Sequence, residues 1–303
     1  MIRIERNKNI SSLTTFGVGG GVEYFCLVKN SKEFYEAIAL ADKKCLKWRL
    51  FSGGSNLVLP DKRISGLVIR MYGGQIKKDK TKLIVDAGVL LSQFVAAAIK
   101  AGFQGIEQLS GIPGTVGGAI VGNAGAYGCS ISDLVSRVLV WDGCGERWIS
   151  VKECGFNYRE SIFKNNGWIV LRVELIFVSG DKNKINERSK EIIAERLKKY
   201  PKGLMCPGSY FKNILVAELS SEVLKKIDRT KIIGGKVPVG YLLEVVGARG
   251  MRRGGVCVAT YHGNLILNKN NGTTHDAKSL ARALKSKVFK KFGILIEEEV
   301  RYW

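Results

Sequence analysis

A run of glycine residues in the middle of the chain restricts the possible folds more than any other feature of the sequence. Seven of the eighteen residues 111–128 are glycine. This density is too high for an ordinary helix or strand, and it predicts a long loop of bare main chain. Such a backbone can approach a ligand closely and adopt positive φ, so that successive N–H groups converge on an anion.

A second glycine loop precedes this run. Residues 53–56, with the sequence Gly-Gly-Ser-Asn, separate two apolar segments, 48–51 and 57–59, which we predict to be strands. Neither loop matches the P-loop or a clean G-x-G-x-x-G dinucleotide motif. Because a hydroxyl and exposed N–H groups can hold a pyrophosphate, the two loops together predict a dinucleotide clamped between two lobes.

Hydrophobic periodicity predicts strands and helices mixed along the whole chain, which favours the α+β class. The predicted strands are 22–28, 48–51, 57–59, 67–71, 83–87, 135–142, 147–151, 168–178, 257–259, 264–267 and 294–302. The predicted helices are 31–41 (capped by Ser31), 91–101, 184–200, 221–226, 241–246 and 276–292. We expect three parts, with a first lobe at 1–72, a second lobe at 73–180 and a further domain at 181–303.

The formal net charge of +21 is the one unusual feature of the composition. Hydrophobic residues (46%) and charged residues (25%) occur in proportions typical of a globular chain. The lysines are spread along the sequence in pairs such as Lys43-Lys44, without a long basic run or a zinc finger. We therefore expect a lysine-rich surface without a nucleic acid partner, which attracts a substrate that carries phosphates and a carboxylate.

The cysteines and the N-terminal segment indicate a reducing compartment. Seven cysteines, an odd number, are widely spread without a C-x-x-C pair. This pattern favours free structural thiols and argues against both a disulfide framework and a metal site. The charged first ten residues precede no apolar signal segment, and no apolar stretch reaches the roughly 20 residues of a membrane span. We expect a cytoplasmic monomer without membrane insertion.

Six motifs together resemble the UDP-N-acetylenolpyruvoylglucosamine reductases, the MurB family. They cover nearly the whole chain in the family's order, at residues 53–56, 111–119, 123–128, 158–161, 208–213 and 299–301. The resemblance implies a two-lobed FAD-binding domain of the vanillyl-alcohol-oxidase (PCMH) type plus a C-terminal α+β substrate domain. It also implies non-covalent FAD and NADPH as hydride donor, for reduction of UDP-N-acetylglucosamine enolpyruvate to UDP-N-acetylmuramate.

The resemblance further assigns site residues by position. Arg159 matches the arginine that polarises the substrate carboxylate, Ser209 the proton donor, and Glu299 an acidic partner of the carboxyl end. Lys212 and Asn213 match residues near the substrate, as does Arg159 itself. The implied FAD contacts are Gly53, Gly54, Ser55, Asn56, Leu57, Gly111, Ile112, Gly114, Thr115, Gly117, Gly118, Asn123, Gly125, Ala126 and Tyr127.

The chain departs from the family pattern in two places. Extra residues, including 221–229, separate Asn213 from the motif that resumes at Pro238. A substrate-capping tyrosine loop has no equivalent, which favours the subgroup that lacks it. The two histidines raise the question of an acid–base pair, but we expect a structural role for His262 and an exposed position for His275.

Two other functions fit part of the sequence. A flavin oxidase or dehydrogenase of the same fold, acting on an alcohol or hydroxy acid, shares the FAD loops without needing the arginine, serine and glutamate set. A basic nucleic-acid-binding protein explains the charge and leaves both glycine loops unexplained. A serine hydrolase lacks support because the G-x-S-x-G turn is missing.

Overall fold

The computed structural model describes residues 2–303, in which helices and strands alternate throughout. The α-helices are α1 (Ser31–Lys43), α2 (Leu91–Lys100), α3 (Val116–Val121), α4 (Lys182–Lys199), α5 (Ser221–Leu224), α6 (Val239–Val245) and α7 (Thr274–Phe292). Short 3-10 turns connect several of them. The mixture agrees with the α+β class that the sequence predicts.

The strands are mostly short. They are β1 (Ile4–Asn9), β2 (Gly21–Val28), β3 (Trp48–Phe51), β4 (Leu57–Val58), β5 (Ile64–Met71), β6 (Ile76–Asp79), β7 (Lys82–Asp86), β8 (Gly125–Ala126), β9 (Cys129–Ser130), β10 (Val135–Trp141), β11 (Glu146–Ser150), β12 (Ile169–Ile176), β13 (Ile214–Leu215), β14 (Lys236–Val237), β15 (Arg252–Arg253), β16 (Val256–Val258), β17 (Ile266–Asn268) and β18 (Arg301–Tyr302). Several of the predicted segments are confirmed to within a few residues.

The chain folds into two compact units. The first comprises the described residues up to Lys8, together with 22–53 and 65–201. Its antiparallel five-stranded sheet has the order β11-β10-β12-β7-β6, and a four-stranded sheet of order β1-β2-β5-β3 lies mostly in this unit. Phe34 of α1 and Phe94 of α2 are fully buried in its core, and each such side chain stabilises the fold by about 1.5–3 kcal/mol.

The second unit comprises residues 9–21, 54–64 and 202–303. Its longest element is α7, which Thr273 and Asp276 begin with a reciprocal capping box and which Gly293 ends at φ +76°. The buried face of α7 packs into a core with Tyr210 and Phe211. Strand β18 pairs in parallel with β4, so the end of the chain is fixed beside the residues that follow the Gly-Gly-Ser-Asn loop.

Two local predictions are wrong in detail. Asn30 rather than Ser31 caps α1, because the Asn30 side chain accepts a hydrogen bond from the Glu33 N–H. The predicted closing strand 294–302 shortens to β18, with one isolated bridge at Glu298. The apolar alternation of that segment instead places Ile294 and Ile296 in the core of the second unit.

The glycine run is not one uninterrupted loop, contrary to the prediction. Helix α3 lies inside it and contains both Gly117 and Gly118. A Cβ on Gly117 would come within 2.8 Å of the Ala87 Cβ, and the Gly117 N–H donates to the Ala87 carbonyl. Tight packing of helix on strand, rather than loop formation, therefore requires glycine at position 117.

The domain boundaries at 72 and 180 stay a prediction. The two compact units follow a different division, since residues 54–64 belong to the same unit as the C-terminal hundred residues. Chain segments that are distant in sequence form one unit because hydrogen bonds such as the β4–β18 pairing hold them together.

Candidate active site

The two glycine loops meet within the first unit. A Cβ on Gly53 would lie 2.6 Å from the Cα of Gly114, so only glycine allows this approach of one main chain to the other. The Thr115 hydroxyl donates to Ser52 Oγ at 2.7 Å, and the Ser52 hydroxyl donates to the Met71 carbonyl. Residues more than sixty positions apart are therefore held together by both packing and hydrogen bonds.

Thr115 also begins α3. Its Oγ1 accepts a hydrogen bond from the Gly118 N–H at 3.3 Å, and the residue itself is buried. Gly118 is exposed, and among the described residues a Cβ built there would meet only the Thr115 hydroxyl oxygen, at 3.5 Å, apart from its chain neighbours and the helix backbone. This side of the loop presents main chain without side-chain cover.

The second half of the glycine run surrounds the Arg159 guanidinium. Residues 125–130 form the small hairpin β8–β9. Arg159 Nη2 donates to the Gly125 carbonyl at 2.9 Å, and its Nη1 lies 3.5 Å from the Asn123 carbonyl. Asn123 is buried and donates to the Asn157 carbonyl at 2.9 Å. Residues more than thirty positions apart in the sequence thus form one cluster.

Three of the seven non-glycine residues with positive φ in the part of the chain that the structure describes lie in this cluster. Asn123, Tyr127 and Arg159 have φ values of +40°, +51° and +56°. Outside glycine, this region costs on the order of 1–3 kcal/mol per residue and persists only where the surroundings enforce it. Such strain is typical of functional sites, and it supports the choice of all three residues.

Arg196 of α4, which no sequence motif indicates, also lies beside the glycine run. The hydrocarbon part of its side chain lies against Gly111, where a Cβ would come within 3.2 Å of the Arg196 Cδ. Burial lowers the pKa of Arg196, although the nearby Tyr200 and Tyr127 act in the opposite direction. Helical periodicity could have indicated that Arg196 lies on the buried face of α4. It follows the buried Ser189 by seven residues and the buried Ile192 by four, which places all three on one face of the helix.

Tyr127 faces the same helix. The pKa of the Tyr127 hydroxyl is raised. Partial burial is the largest cause, and a hydrogen bond to the charged Glu195 adds to the shift. Arg188 lies 5.8 Å from the ring centroid. The buried hydroxyls of Ser110 and Ser189 are 2.7 Å apart, which fixes α4 beside the start of the glycine run.

The second unit brings the other predicted residues together. Ser209 is half-buried, and the next residue, Tyr210, accepts a hydrogen bond from the Glu299 N–H at 2.8 Å. The Glu299 carbonyl accepts from Asn56 Nδ2 at 2.9 Å. The loop residues Ser55, Asn56 and Leu57 therefore lie in the same unit as the predicted proton donor and the predicted acidic partner.

Asn264 holds the chain beside Ser209. Its side chain accepts from the Phe211 N–H at 2.9 Å and donates to the Phe211 carbonyl at 2.8 Å. Its own N–H donates to His262 Nδ1 at 3.1 Å, and a Cβ on Gly240 would lie 3.1 Å from the His262 ring. His262 therefore orients the residue that fixes this segment, while His275 is exposed.

The two predicted substrate residues differ in their contacts. Lys212 Nζ lies 3.4 Å from a Glu297 carboxylate oxygen. Asn213 Oδ1 accepts from the Val239 N–H at 3.1 Å, which caps α6. The extra residues after Asn213 lie between β13 and β14, which pair with each other in an antiparallel arrangement. Ile227 of this segment is buried in the core of the second unit. Asn213 thus has a structural function in addition to any contact with substrate.

These features define a class of protein. A sequence profile for an FAD binding domain matches residues 22–149, the part of the chain that contains both glycine loops. The fold is that of the two-lobed FAD-binding oxidoreductases with an additional C-terminal domain. Among residues 2–303, no helix combines the length and apolar character needed to cross a membrane, and no group of His, Cys, Asp or Glu side chains could hold a metal ion.

Comparison with known proteins identifies the particular family. A profile for the C-terminal domain of UDP-N-acetylenolpyruvoylglucosamine reductase matches residues 200–303. The enzyme of that name from Solibacter usitatus is 38% identical over 99% of this chain and 97% of its own length. The one from Prochlorococcus marinus is 33% identical over 99% of this chain and 98% of its own. The chain belongs to the UDP-N-acetylenolpyruvoylglucosamine reductase family.

A solved structure agrees with this assignment. The crystal structure of the reductase from Thermus caldophilus superimposes with a TM-score of 0.79 and 29% identity, and it covers 100% of both chains. The resemblance inferred from six motifs is therefore confirmed over the full length. The roles of individual site residues stay predictions.

Proposed function

We propose that this protein reduces the enol ether of UDP-N-acetylglucosamine enolpyruvate to UDP-N-acetylmuramate, a step in the synthesis of peptidoglycan precursors. The observation that carries the proposal is full-length membership in the reductase family. FAD is the cofactor and NADPH the hydride donor, as the family uses them. When bound, the flavin supplies a hydride to the methylene carbon of the enolpyruvyl group.

The chain's glycine loops fit a flavin dinucleotide. Gly53 and Gly114 approach so closely that a Cβ would fill the space between them, and Gly118 leaves main chain exposed. Main chain without side-chain cover lets a pyrophosphate approach closely. We assign to the dinucleotide the residues Gly53, Gly54, Ser55, Asn56, Leu57, Gly111, Ile112, Gly114, Thr115, Gly117, Gly118, Asn123, Gly125, Ala126 and Tyr127.

Arg159 is proposed to hold the substrate carboxylate. Two of its five N–H donors point to the Asn123 and Gly125 carbonyls, which fixes the plane of the guanidinium. As the hydride adds to the methylene carbon, negative charge develops on the neighbouring carbon and spreads into the carboxylate. A fixed cation stabilises this additional negative charge in the transition state more than it stabilises the single charge of the ground-state carboxylate, which lowers the barrier.

Ser209 is proposed to deliver the proton. Addition across the double bond requires one hydride and one proton, and the proton goes to the carbon that bears the carboxylate. The two hydrogen bonds between the Asn264 side chain and the Phe211 main chain support a fixed position for the Ser209 hydroxyl, two residues away. An alcohol is a weak acid, but it can protonate a strongly basic enolate-like carbon that it faces.

Glu299 and Lys212 are proposed to bind the rest of the substrate. Hydrogen bonds of the Glu299 main chain to Tyr210 and Asn56 support a rigid position for its carboxylate near the carboxyl end of the substrate. Lys212 and Asn213 are assigned to the UDP part. Because Asn213 Oδ1 already caps α6, only its amide N–H groups are assigned to the substrate.

Optical spectroscopy tests the whole proposal. The purified protein should show a flavin spectrum that NADPH bleaches and that the enolpyruvyl UDP-sugar restores. The product should be two mass units heavier than the substrate. A protein that is folded but unable to hold FAD would contradict the proposal, whereas bleaching without reoxidation by the UDP-sugar would point to another substrate.

The same preparation tests the remaining expectations. Acid or heat should release the FAD, since we assign no covalent link to a histidine or cysteine. We also propose a cytoplasmic monomer that binds no nucleic acid. Light scattering after size-exclusion chromatography measures the mass, and titration with duplex DNA at low and high salt tests the second point.

A further inference from the structure

Three basic residues line one face of α7. His275, Lys278 and Arg282 follow one another at intervals of three and four residues, which places them above each other on the helix surface. All three are exposed, whereas Ala281 and Leu284 on the other face are fully buried. The spacing alone therefore predicts a basic stripe along the helix.

This stripe borders a cleft of about 520 Å³. Glu298 and Tyr302 complete its lining, so the cleft lies between α7 and the C-terminal segment of the same unit. The Tyr302 hydroxyl is 2.6 Å from that of the buried Tyr210, and Lys278 Nζ lies 4.7 Å from the Tyr302 ring centroid. These contacts hold the wall of the cleft in place without a ligand.

The charges in the cleft are not balanced. Its one carboxylate, Glu298, already pairs with Lys285 Nζ at 2.6 Å. Among the residues that the structure describes, no ion pair involves Lys278 or Arg282, which are one helical turn apart. Like charges at this spacing repel each other, and an anion between them would remove the repulsion.

We propose that this cleft binds a small soluble anion that carries one or two phosphate groups. Arg282 provides a planar set of N–H donors and Lys278 a mobile ammonium group, a combination that suits phosphate oxygens. None of the five lining residues belongs to the proposed catalytic, cofactor or substrate sets. The neighbouring carboxylates have different partners, since Glu297 pairs with Lys212 and Glu298 with Lys285. The cleft is thus a second anion site, additional to the proposed function.

Calorimetric titration with inorganic pyrophosphate tests the proposal. The FAD-loaded, oxidised protein is first saturated with the enolpyruvyl UDP-sugar, which blocks phosphate binding at the substrate site. One equivalent of pyrophosphate should still bind. The double variant K278Q/R282Q keeps both hydrocarbon stems and should bind at least about tenfold more weakly.

The control variant carries the same charge change on the same helix. Lys290 and Lys291 are exposed on the last turn and lie outside the cleft, so K290Q/K291Q should bind pyrophosphate like the wild type. Both double variants should keep the melting temperature and the NADPH-driven turnover of the parent.

Three results would overturn the proposal. Pyrophosphate binding that the UDP-sugar abolishes would assign the anion to the substrate site. Equal weakening in both double variants would indicate non-specific attraction by net charge. Capture of the protein by phosphatidylglycerol vesicles without any pyrophosphate binding would indicate a lipid surface instead. If the protein fails to bind the UDP-sugar, the proposed function fails, but the difference between the two double variants still decides the present proposal.

Discussion

The Thr115 hydroxyl donates a hydrogen bond to Ser52 Oγ at 2.7 Å, and this contact joins the two glycine loops within the first unit. It is one link of a chain that runs from the Gly118 N–H through Thr115 and Ser52 to the Met71 carbonyl. The Thr115 and Ser52 hydroxyls each donate one hydrogen bond and accept another, so neither lacks a partner. The approach of the loops is therefore fixed before any cofactor binds.

Thr115→Val should weaken this junction. The substitution keeps the shape but removes the cap of α3 and the bond to Ser52, and we expect a loss of about 0.5–2 kcal/mol in the free energy of unfolding. FAD affinity should fall as well, because the loop is no longer held. Urea denaturation and FAD titration of the apoprotein measure the two effects. Thr115→Ser keeps the hydroxyl, and an equal loss in that variant would contradict the explanation.

Gly53→Ala should destabilise the protein and lower its flavin content. A methyl group there would lie 2.6 Å from the Gly114 Cα and 3.1 Å from the Thr115 nitrogen, so one main chain has to move. Overpacking of this kind costs about 1–3 kcal/mol. Gly145→Ala is the matched control, since a Cβ there would meet no described residue within 4 Å other than its chain neighbours. Thermal melts and flavin content should separate the two variants clearly.

Arg159→Lys should slow the transfer to substrate and leave the reaction with NADPH nearly unchanged. Lysine keeps the charge but cannot bind a carboxylate through two parallel N–H groups while also contacting the Gly125 carbonyl. We expect reoxidation by the UDP-sugar to fall by about 10²-fold. Stopped-flow absorbance follows both half-reactions, and Arg253→Lys on the exposed β15 provides the control.

Ser209→Ala should separate the two half-reactions in a similar way. Removal of the proton donor should slow reoxidation by about 10²–10⁴-fold while NADPH still bleaches the flavin. An equal fall in both rates would exclude Ser209 as the donor. Ser221→Ala, on the exposed start of α5, should behave like the wild type in both measurements.

The lowered pKa of the Glu174 carboxyl predicts how the free energy of unfolding depends on pH. Burial acts to raise the pKa of this carboxyl, but hydrogen bonds and charges from Arg137 and Lys82 outweigh burial and leave the pKa below its usual value. Arg137 Nη2 lies 2.8 Å and Lys82 Nζ 3.3 Å from its oxygens. A carboxyl with a lower pKa in the folded state stabilises the protein above its unfolded pKa, about 4.3, and loses this contribution as pH falls through the folded pKa.

Glu174→Gln should therefore destabilise the protein most near neutral pH. We expect a loss of about 1–3 kcal/mol at pH 7, which shrinks progressively below about pH 4. Denaturant melts of both proteins between pH 3 and 7 give the difference curve. A difference that grows toward low pH would contradict the sign of the pKa shift. Glu187→Gln, on the exposed side of α4, should show no such trend.

Motif content made the family predictable from the sequence, and it supplied the site residues, which stay proposals. Glycine-rich loops, Arg159 and Ser209 are local features whose residue types carry the chemistry, so no long-range contact had to be known. Element boundaries were less accurate, as at α1, where Asn30 and Ser31 are both good capping residues and only the side-chain hydrogen bond distinguishes them.

The sequence alone determined that bare main chain, an arginine, a serine and a glutamate occur in the order of one enzyme family. The tertiary structure decided which of these segments touch, because contacts such as Gly53 with Gly114 and Asn56 with Glu299 join residues that are distant in the chain. It also decided that Asn213 caps a helix and that Arg196 lies against Gly111. Periodicity places a side chain on a face, but only packing determines what that face meets.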